Sequence, residues 1–294
     1  MKHLKTGALV VISVLFLMVA SLYSAQSAKA IMLKYDEVSR DSYSSSIAKT
    51  KLSTCKYKIK NNRMQCGERP RVTILENISK DYGKHKRDTR AVAIVLEPIS
   101  DKGIGVLTYE YYDSDKENDL WMYFSALGKV KRLISNSEDS GSGSFFGSEF
   151  TAEDMQSRKV EEYTYRIIKE VTYNKREAWV VESIPTAKKA KKTQYSKTLS
   201  WIDKERFITL KQEYFNRHGK VFKKRTYKKI ERIDNVWVAR LVIMNNIDTR
   251  RVSHLELSSV AFNIPVSDDF LTQRALTDFA FRERNLAKYR KYFN

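Results

Sequence analysis

Apolar residues in this chain recur in short runs divided by polar turns, and most runs alternate with a period near two. Residues 91–96 (AVAIVL) are continuously apolar, which predicts a strand covered on both faces. Residues 105–112 (GVLTYEYY) alternate, and Asp101-Lys102-Gly103 between the two runs predicts a hairpin. A short strand is expected at 72–75. Residues 120–124 are apolar on both sides, with Trp121 and Tyr123 pointing one way and Leu120, Met122 and Phe124 the other. The second half reads as a meander with strands at 178–184, 198–202, 207–215, 221–230, 236–244 and 251–259. Turns fall at 203–205 and 216–219. Strands recurring every roughly 10–15 residues with short polar turns predict an antiparallel barrel or sandwich.

Helical pattern is sparse. Residues 31–51 are polar and weakly helical. Thr151, with Asp154 three residues on, predicts a capped helix over 151–160. A helical stretch is expected over 268–292, and the lysine run Lys188, Lys189, Lys191 and Lys192 reads as a loop between strands.

The first thirty residues read as a signal peptide. Lys2 and Lys5 precede an apolar core over 8–20, and Ala28-Lys29-Ala30 supplies a small-x-small cleavage site. No cysteine lies near that site to take a lipid anchor. An uncleaved N-terminal anchor is the rival reading, and no second segment is long enough to span a bilayer. Residues 31–294 are then expected to form a single domain working in a periplasm. The formal charge is +19; Lys2, Lys5 and Lys29 carry three of these, which leaves +16 for the rest. In an exported protein that excess points to an anionic membrane surface or an acidic protein partner rather than to nucleic acid. Cys55 and Cys66 are expected to form a disulfide between neighbouring strands in an oxidising compartment. A redox pair would favour a C-x-x-C spacing, and a zinc site would need further ligands.

The chemistry-bearing candidates are apolar. Residues 119–155 carry the two-faced strand, then Lys129, Lys131 and Arg132, then a Ser/Gly loop ending at Phe145, Phe146 and Phe150. Each aromatic taken singly suits a core. Together, Trp121, Tyr123, Phe145, Phe146 and Phe150 are expected to wall a cavity for an apolar ligand, with the SGSGS loop acting as a lid. Lys129, Lys131 and Arg132 would dock anionic headgroups or an acidic partner, or simply form a solvated strand end. The basic groups at 188–192 and 223–225 read as surface charge. Catalytic motifs are lacking: Gly143-Ser144-Phe145-Phe146-Gly147 misplaces the serine of a nucleophile elbow, and His85, His218 and His254 have no companions at metal spacing. No cofactor, metal or enzymatic activity is expected.

Three stretches resemble the bacterial outer membrane lipoprotein-sorting proteins of the LolA-like superfamily: CGERPRVTILENISKDYG, VLEPISDKGIGVLTYEY and the 119–155 segment. The hairpin LSWIDKERFITLKQEYFNRHGKVFKKRTY is similar to the W-x-D strand-turn-strand of that superfamily. The resemblance covers roughly residues 51–279. It implies a mainly β fold, a curved, half-open antiparallel β-barrel with a few helices plugging its concave side, around a cavity that takes acyl chains. The function it implies is a periplasmic carrier shuttling lipid or lipoprotein acyl chains towards the outer membrane. The alternative is a non-catalytic envelope module that docks an inner-membrane exporter. The resemblance brings no catalytic residues.

Overall fold

The computed structural model describes residues 27–83, 87–133 and 144–293. Most of the expected signal peptide, His85, and the Ser/Gly stretch 134–143 lie outside the described residues.

Among the described residues, fourteen strands form one antiparallel sheet. They are β1 (Ser45–Lys60), β2 (Arg63–Cys66), β3 (Arg71–Tyr82), β4 (Asp88–Glu97), β5 (Gly105–Glu110), β6 (Asp119–Phe124), β7 (Lys129–Leu133), β8 (Tyr163–Tyr173), β9 (Arg176–Pro185), β10 (Lys197–Asp203), β11 (Thr209–Phe215), β12 (Val221–Ile233), β13 (Val236–Asn246) and β14 (Arg251–Phe262). The order across the sheet is β7-β6-β5-β4-β3-β1-β14-β13-β12-β11-β10-β9-β8, with β2 hairpinned onto β1. The two ends, β7 and β8, do not meet, so the barrel is half open. Long strands carry accumulated twist, and β1 alone has 16 residues, about 50 Å at the usual strand rise. Register shifts at Lys49/Thr50, Ile74/Leu75 and Tyr214/Phe215 add local bends. The sheet therefore curls.

Antiparallel pairing places one row of side chains across half the sheet. Ala261, Ile47, Ile78, Val92, Leu107 and Trp121 are successive partners on β14, β1, β3, β4, β5 and β6. That row faces outward and is covered by the C-terminal segment. The segment comprises a 3-10 turn at Asp268–Phe270, then α4 (Gln273–Thr277) and α5 (Phe279–Tyr289); α1 to α3 are placed below. Phe270, Leu271, Leu276 and Leu286 are fully buried against the row. Gly105 permits this close approach, since a Cβ there would come within 2.8 Å of both Ile94 Cδ1 and Leu276 Cδ2. Arg290 then clamps the segment, with Nε and Nη2 donating to the buried Glu76 carboxylate at 2.6–3.0 Å.

The expected 268–292 helix is thus broken into short pieces. Asp278 closes α4 and also caps α5, its carboxylate accepting the Phe281 N–H at 2.9 Å. The expected strand at 72–75 is the start of the twelve-residue β3. The helix expected over 151–160 is a single turn, α2 (Ala152–Met155), with the foreseen capping box between Thr151 and Asp154. Strand β8 follows it. The lysine run contains one helical turn, α3 (Ala187–Ala190), between β9 and β10. Cys55 and Cys66 form the expected disulfide between β1 and β2, with a Cα–Cα distance of 5.7 Å.

Truncating Leu276 to alanine removes a fully buried side chain from the middle of the outer cover. The expected cost is about 2–5 kcal/mol in urea unfolding. A loss well under about 1 kcal/mol would show that the cover packs loosely.

Candidate functional site

The opposite, inner face of the sheet is filled by two elements far apart in sequence. The first is α1 (Ala28–Asp41), capped by Ser27, whose Oγ accepts the Ala30 N–H. Ala28, Ile31 and Met32 pack on Val181 of β9 and Ile202 of β10, with Tyr165 and Ile167 of β8 beside them. Another side of α1 carries Tyr35, Val38 and Ser39, with Tyr43 just beyond its end, over residues of β1, β3 and β11 to β14. A helix that touches both regions must lie inside the curl. Asp36 on this helix is buried and receives Arg40 Nε at 2.7 Å and Arg87 at 3.1 Å. The expected cleavage motif, residues 28–30, forms the first turn of α1.

The second element is the segment 144–158. Phe145, Phe146 and the fully buried Phe150 pack with Leu52, Leu75, Ala93, Tyr214 and Met244. Local bonds tie the turn: Ser144 Oγ donates to the Ser148 carbonyl and Ser148 Oγ to the Phe145 carbonyl, each at 2.6 Å. Phe146 takes a left-handed φ of 50°, a costly conformation for a bulky side chain that the surrounding bonds hold in place. Beyond it, Asp154 is an anchor. Its carboxylate accepts from the Thr151 N–H (2.9 Å) and the Tyr195 hydroxyl (2.9 Å) and lies 3.5 Å from Lys223 Nζ. Burial pushes the Asp154 carboxyl up, but Arg225, Lys223 and these hydrogen bonds outweigh it and hold it below the ordinary 3.8.

Between α1 and the sheet lies a cavity of ≈ 410 Å³, in the size range of small-molecule sites. Its walls are mainly apolar: Val236, Val238 and Val242 of β13 and Leu257, Val260 and Phe262 of β14. Ser46 and Ala48 of β1 and Asn77 and Ser79 of β3 make its floor; Ser46 and Ser79 bond each other at 2.8 Å. A neighbouring polar cavity of ≈ 200 Å³ is bounded by α1, α2, β11 and β12, and Tyr35, Ser39 and Tyr227 line both.

The five aromatics expected to share one wall do not do so. Trp121 and Tyr123 face outward, packed with the C-terminal segment, and Trp121 meets Tyr109 edge-on at 5.0 Å. Phe145, Phe146 and Phe150 pack on the inner face. The sheet lies between the two groups, and none of the five lines the ≈ 410 Å³ cavity. Tyr123 instead borders a ≈ 310 Å³ cleft beside Phe279 and Arg282. Strand β6 is half-buried along its length, and on its outer side the cover is the chain's own helices. Lys129, Lys131 and Arg132 lie on β7 and are exposed. Arg132 pairs with Asp119 and leans over the Trp121 ring, while Lys129 and Lys131 pair in register with Phe124 and Met122 on the other face. The three do not form one patch.

Lys223 and Arg225, expected at the surface, are interior; only Lys224 between them points out, towards Glu213. The 188–192 run is surface, tied to Asp115, Glu117 and Glu153. Among the described residues, no group of three or more His, Cys, Asp or Glu could hold a metal ion, and no helix is long and apolar enough to cross a membrane.

A family model whose description reads "Uncharacterized protein" matches residues 87–278. The chain belongs to that family. Among solved structures, a DUF1329 family protein from Desulfovibrio piger matches with a TM-score of 0.74 at 23% identity, covering 85% of this chain and 97% of that one. A putative outer membrane lipoprotein-sorting protein domain from Vibrio parahaemolyticus matches with a TM-score of 0.72 at 24% identity, over 85% and 98%. A LolA superfamily protein from Nitrosomonas europaea matches with a TM-score of 0.61 at 18% identity, over 84% and 97%. No curated relative matches. The fold is therefore LolA-like, as the sequence resemblance implied.

Asp154→Asn leaves Lys223 and Arg225 buried without their counter-ion, with an expected loss of about 3–5 kcal/mol near neutral pH. Because the folded carboxyl titrates below 3.8, its contribution is complete above that value and disappears as pH falls through the folded pKa. The stability gap between wild type and variant, measured by urea unfolding, should narrow in acid; a gap independent of pH would contradict the assignment.

Proposed function

We propose that this protein is a carrier that holds the acyl chain of a lipid or lipoprotein in the cavity between α1 and the inner sheet face, and that it works in a bacterial periplasm. The single observation carrying this reading is the ≈ 410 Å³ cavity itself, walled by β13 and β14 valines and leucine and left unfilled by the protein's own side chains. The LolA-like fold and the lipoprotein-sorting description of the Vibrio relative support the same reading.

Burying a methylene gains about 0.8 kcal/mol, so a sixteen-carbon chain gains on the order of 10 kcal/mol before the costs of association. That gain keeps the chain from escaping into water; exchange with a membrane, which buries the same methylenes, is close to neutral, as a carrier requires. Lys129 and Lys131, exposed on β7, are the side chains by which the loaded or empty carrier would meet anionic headgroups. Phe145 and Phe146 would act as a doorstop beside the tail site rather than as its wall.

Mass spectrometry of organic extracts of the purified protein should find bound lipid. Ala48 sits on the cavity floor between Asn77 and Val260. Ala48→Phe should lower the co-purified lipid about tenfold or more while leaving the melting temperature within a few degrees. Unchanged lipid content in a folded variant would refute the tail site. Extracts free of lipid, with no uptake of added fatty acid, would refute the carrier itself.

A further inference from the structure

The polar cavity beside the tail site is lined by two half-buried guanidinium groups that between them make a single long ion pair, Arg225 with Asp154. Arg158, just before β8, donates to Thr198 Oγ1 at 2.8 Å, and no described carboxylate forms an ion pair with it. Arg225 of β12 donates through Nη2 to the Asp154 backbone carbonyl at 2.7 Å. Its distance to the Asp154 carboxylate is 3.9 Å, and its buried Nε has no partner. Both guanidinium groups stand 5.9 Å from the centroid of the Tyr214 ring.

The anions in the wall are already engaged. Asp36 is bound by Arg40 and Arg87. Glu153 accepts from Thr193 through Oε2, faces Lys189 at 3.6 Å through Oε1 and also interacts with Arg158 at longer range, and Asp154 is held by Thr151, Tyr195, Lys223 and, at 3.9 Å, Arg225. The tyrosine hydroxyls are used as well: Tyr214 and Tyr227 both donate to Gln212 Oε1, at 2.9 and 3.1 Å. A purely structural role for the two arginines rests on their stacking against Tyr163, Tyr214 and Phe150. Stacking offsets part of the burial cost but leaves Arg225 Nε unsatisfied and two like charges facing the same ring. An anion in the chamber would answer both.

We infer that Arg158 and Arg225 form the head-group site for an anionic amphiphile, a carboxylate or phosphate on a single alkyl tail. The tail lies in the ≈ 410 Å³ cavity, across the shared wall of Tyr35, Ser39 and Tyr227. Planar guanidinium groups suit both anions through paired N–H donors. This inference rests on the carrier reading and narrows it: the cargo is recognised by its charge as well as its chain.

The test uses the delipidated full chain and displacement of a fluorescent apolar probe near neutral pH. Palmitate, hexadecyl phosphate and neutral monopalmitoylglycerol carry the same tail. At least one anion should bind about tenfold or more tightly than the neutral glyceride, and the order of the two anions identifies the head group. Arg158→Met should abolish that preference while sparing the glyceride; Arg158→Lys should restore part of it. Should the methionine variant fail to fold, the wild-type series decides alone. Equal binding of all three ligands overturns the head-group site and leaves the carrier reading standing. Binding of none overturns both.

Discussion

Everything in this molecule depends on a sheet too long and too twisted to stay flat. Thirteen strands paired edge to edge, several over ten residues long, must coil, and coiling makes the two faces unequal. The outer face spreads and accepts a thin cover of short helices. The inner face closes around α1, which thereby touches β8 to β10 on one side and looks across at β1 and β3 on the other. Because β7 and β8 do not join, nothing forces the interior to shrink until its side chains fill it. The unfilled space is a consequence of geometry.

The two faces also differ in chemistry. Outward, a continuous row from Ala261 to Trp121 meets Phe270, Leu276 and Leu286, all three fully buried. Ion pairs of Glu76 with Arg290 and of Lys80 with Asp268 tie the cover to the sheet. Inward, apolar walls alternate with Ser46, Asn77 and Ser79, and the adjoining chamber holds arginines, tyrosines and a glutamine. A surface that mixes hydrocarbon with hydroxyl, amide and guanidinium groups is poorly suited to being a core. It is well suited to something that is itself part oil and part ion.

Much of this was legible in the residues, for reasons that can be traced. Strands β9 to β14 were readable because Asp203-Lys204-Glu205 and Asn216-Arg217-His218-Gly219 punctuate an alternating pattern. The capping box at Thr151 and the disulfide at Cys55 and Cys66 depend on local chemistry and were also visible. Strand β3 was cut short because ENISKDY places Glu76 on the outer face and Asn77 and Ser79 on the inner one; their partners are distant in sequence, so the run looks like a loop. The apolar doubling of β6 pointed to covered faces, but periodicity cannot say what does the covering, and over Trp121 and Tyr123 it is the chain's own helices. Lys223-Lys224-Arg225 read as a charge run, yet a strand's period of two sends the first and third inward. Only the location of Asp154 and Tyr195 reveals why that is tolerable, and no local pattern carries it.

The open ends of the sheet have one more consequence. Among the described residues no strand pairs with the far edge of β7, the outermost strand at that end, and an edge of that kind can template another chain. Three of the five residues of β7 are Lys129, Lys131 and Arg132. Two such edges approaching in register would align like charges at strand spacing and repel. Whatever else these cations do, they guard against fibril-like stacking, a hazard that a closed barrel never faces and that an open one must answer at its rim.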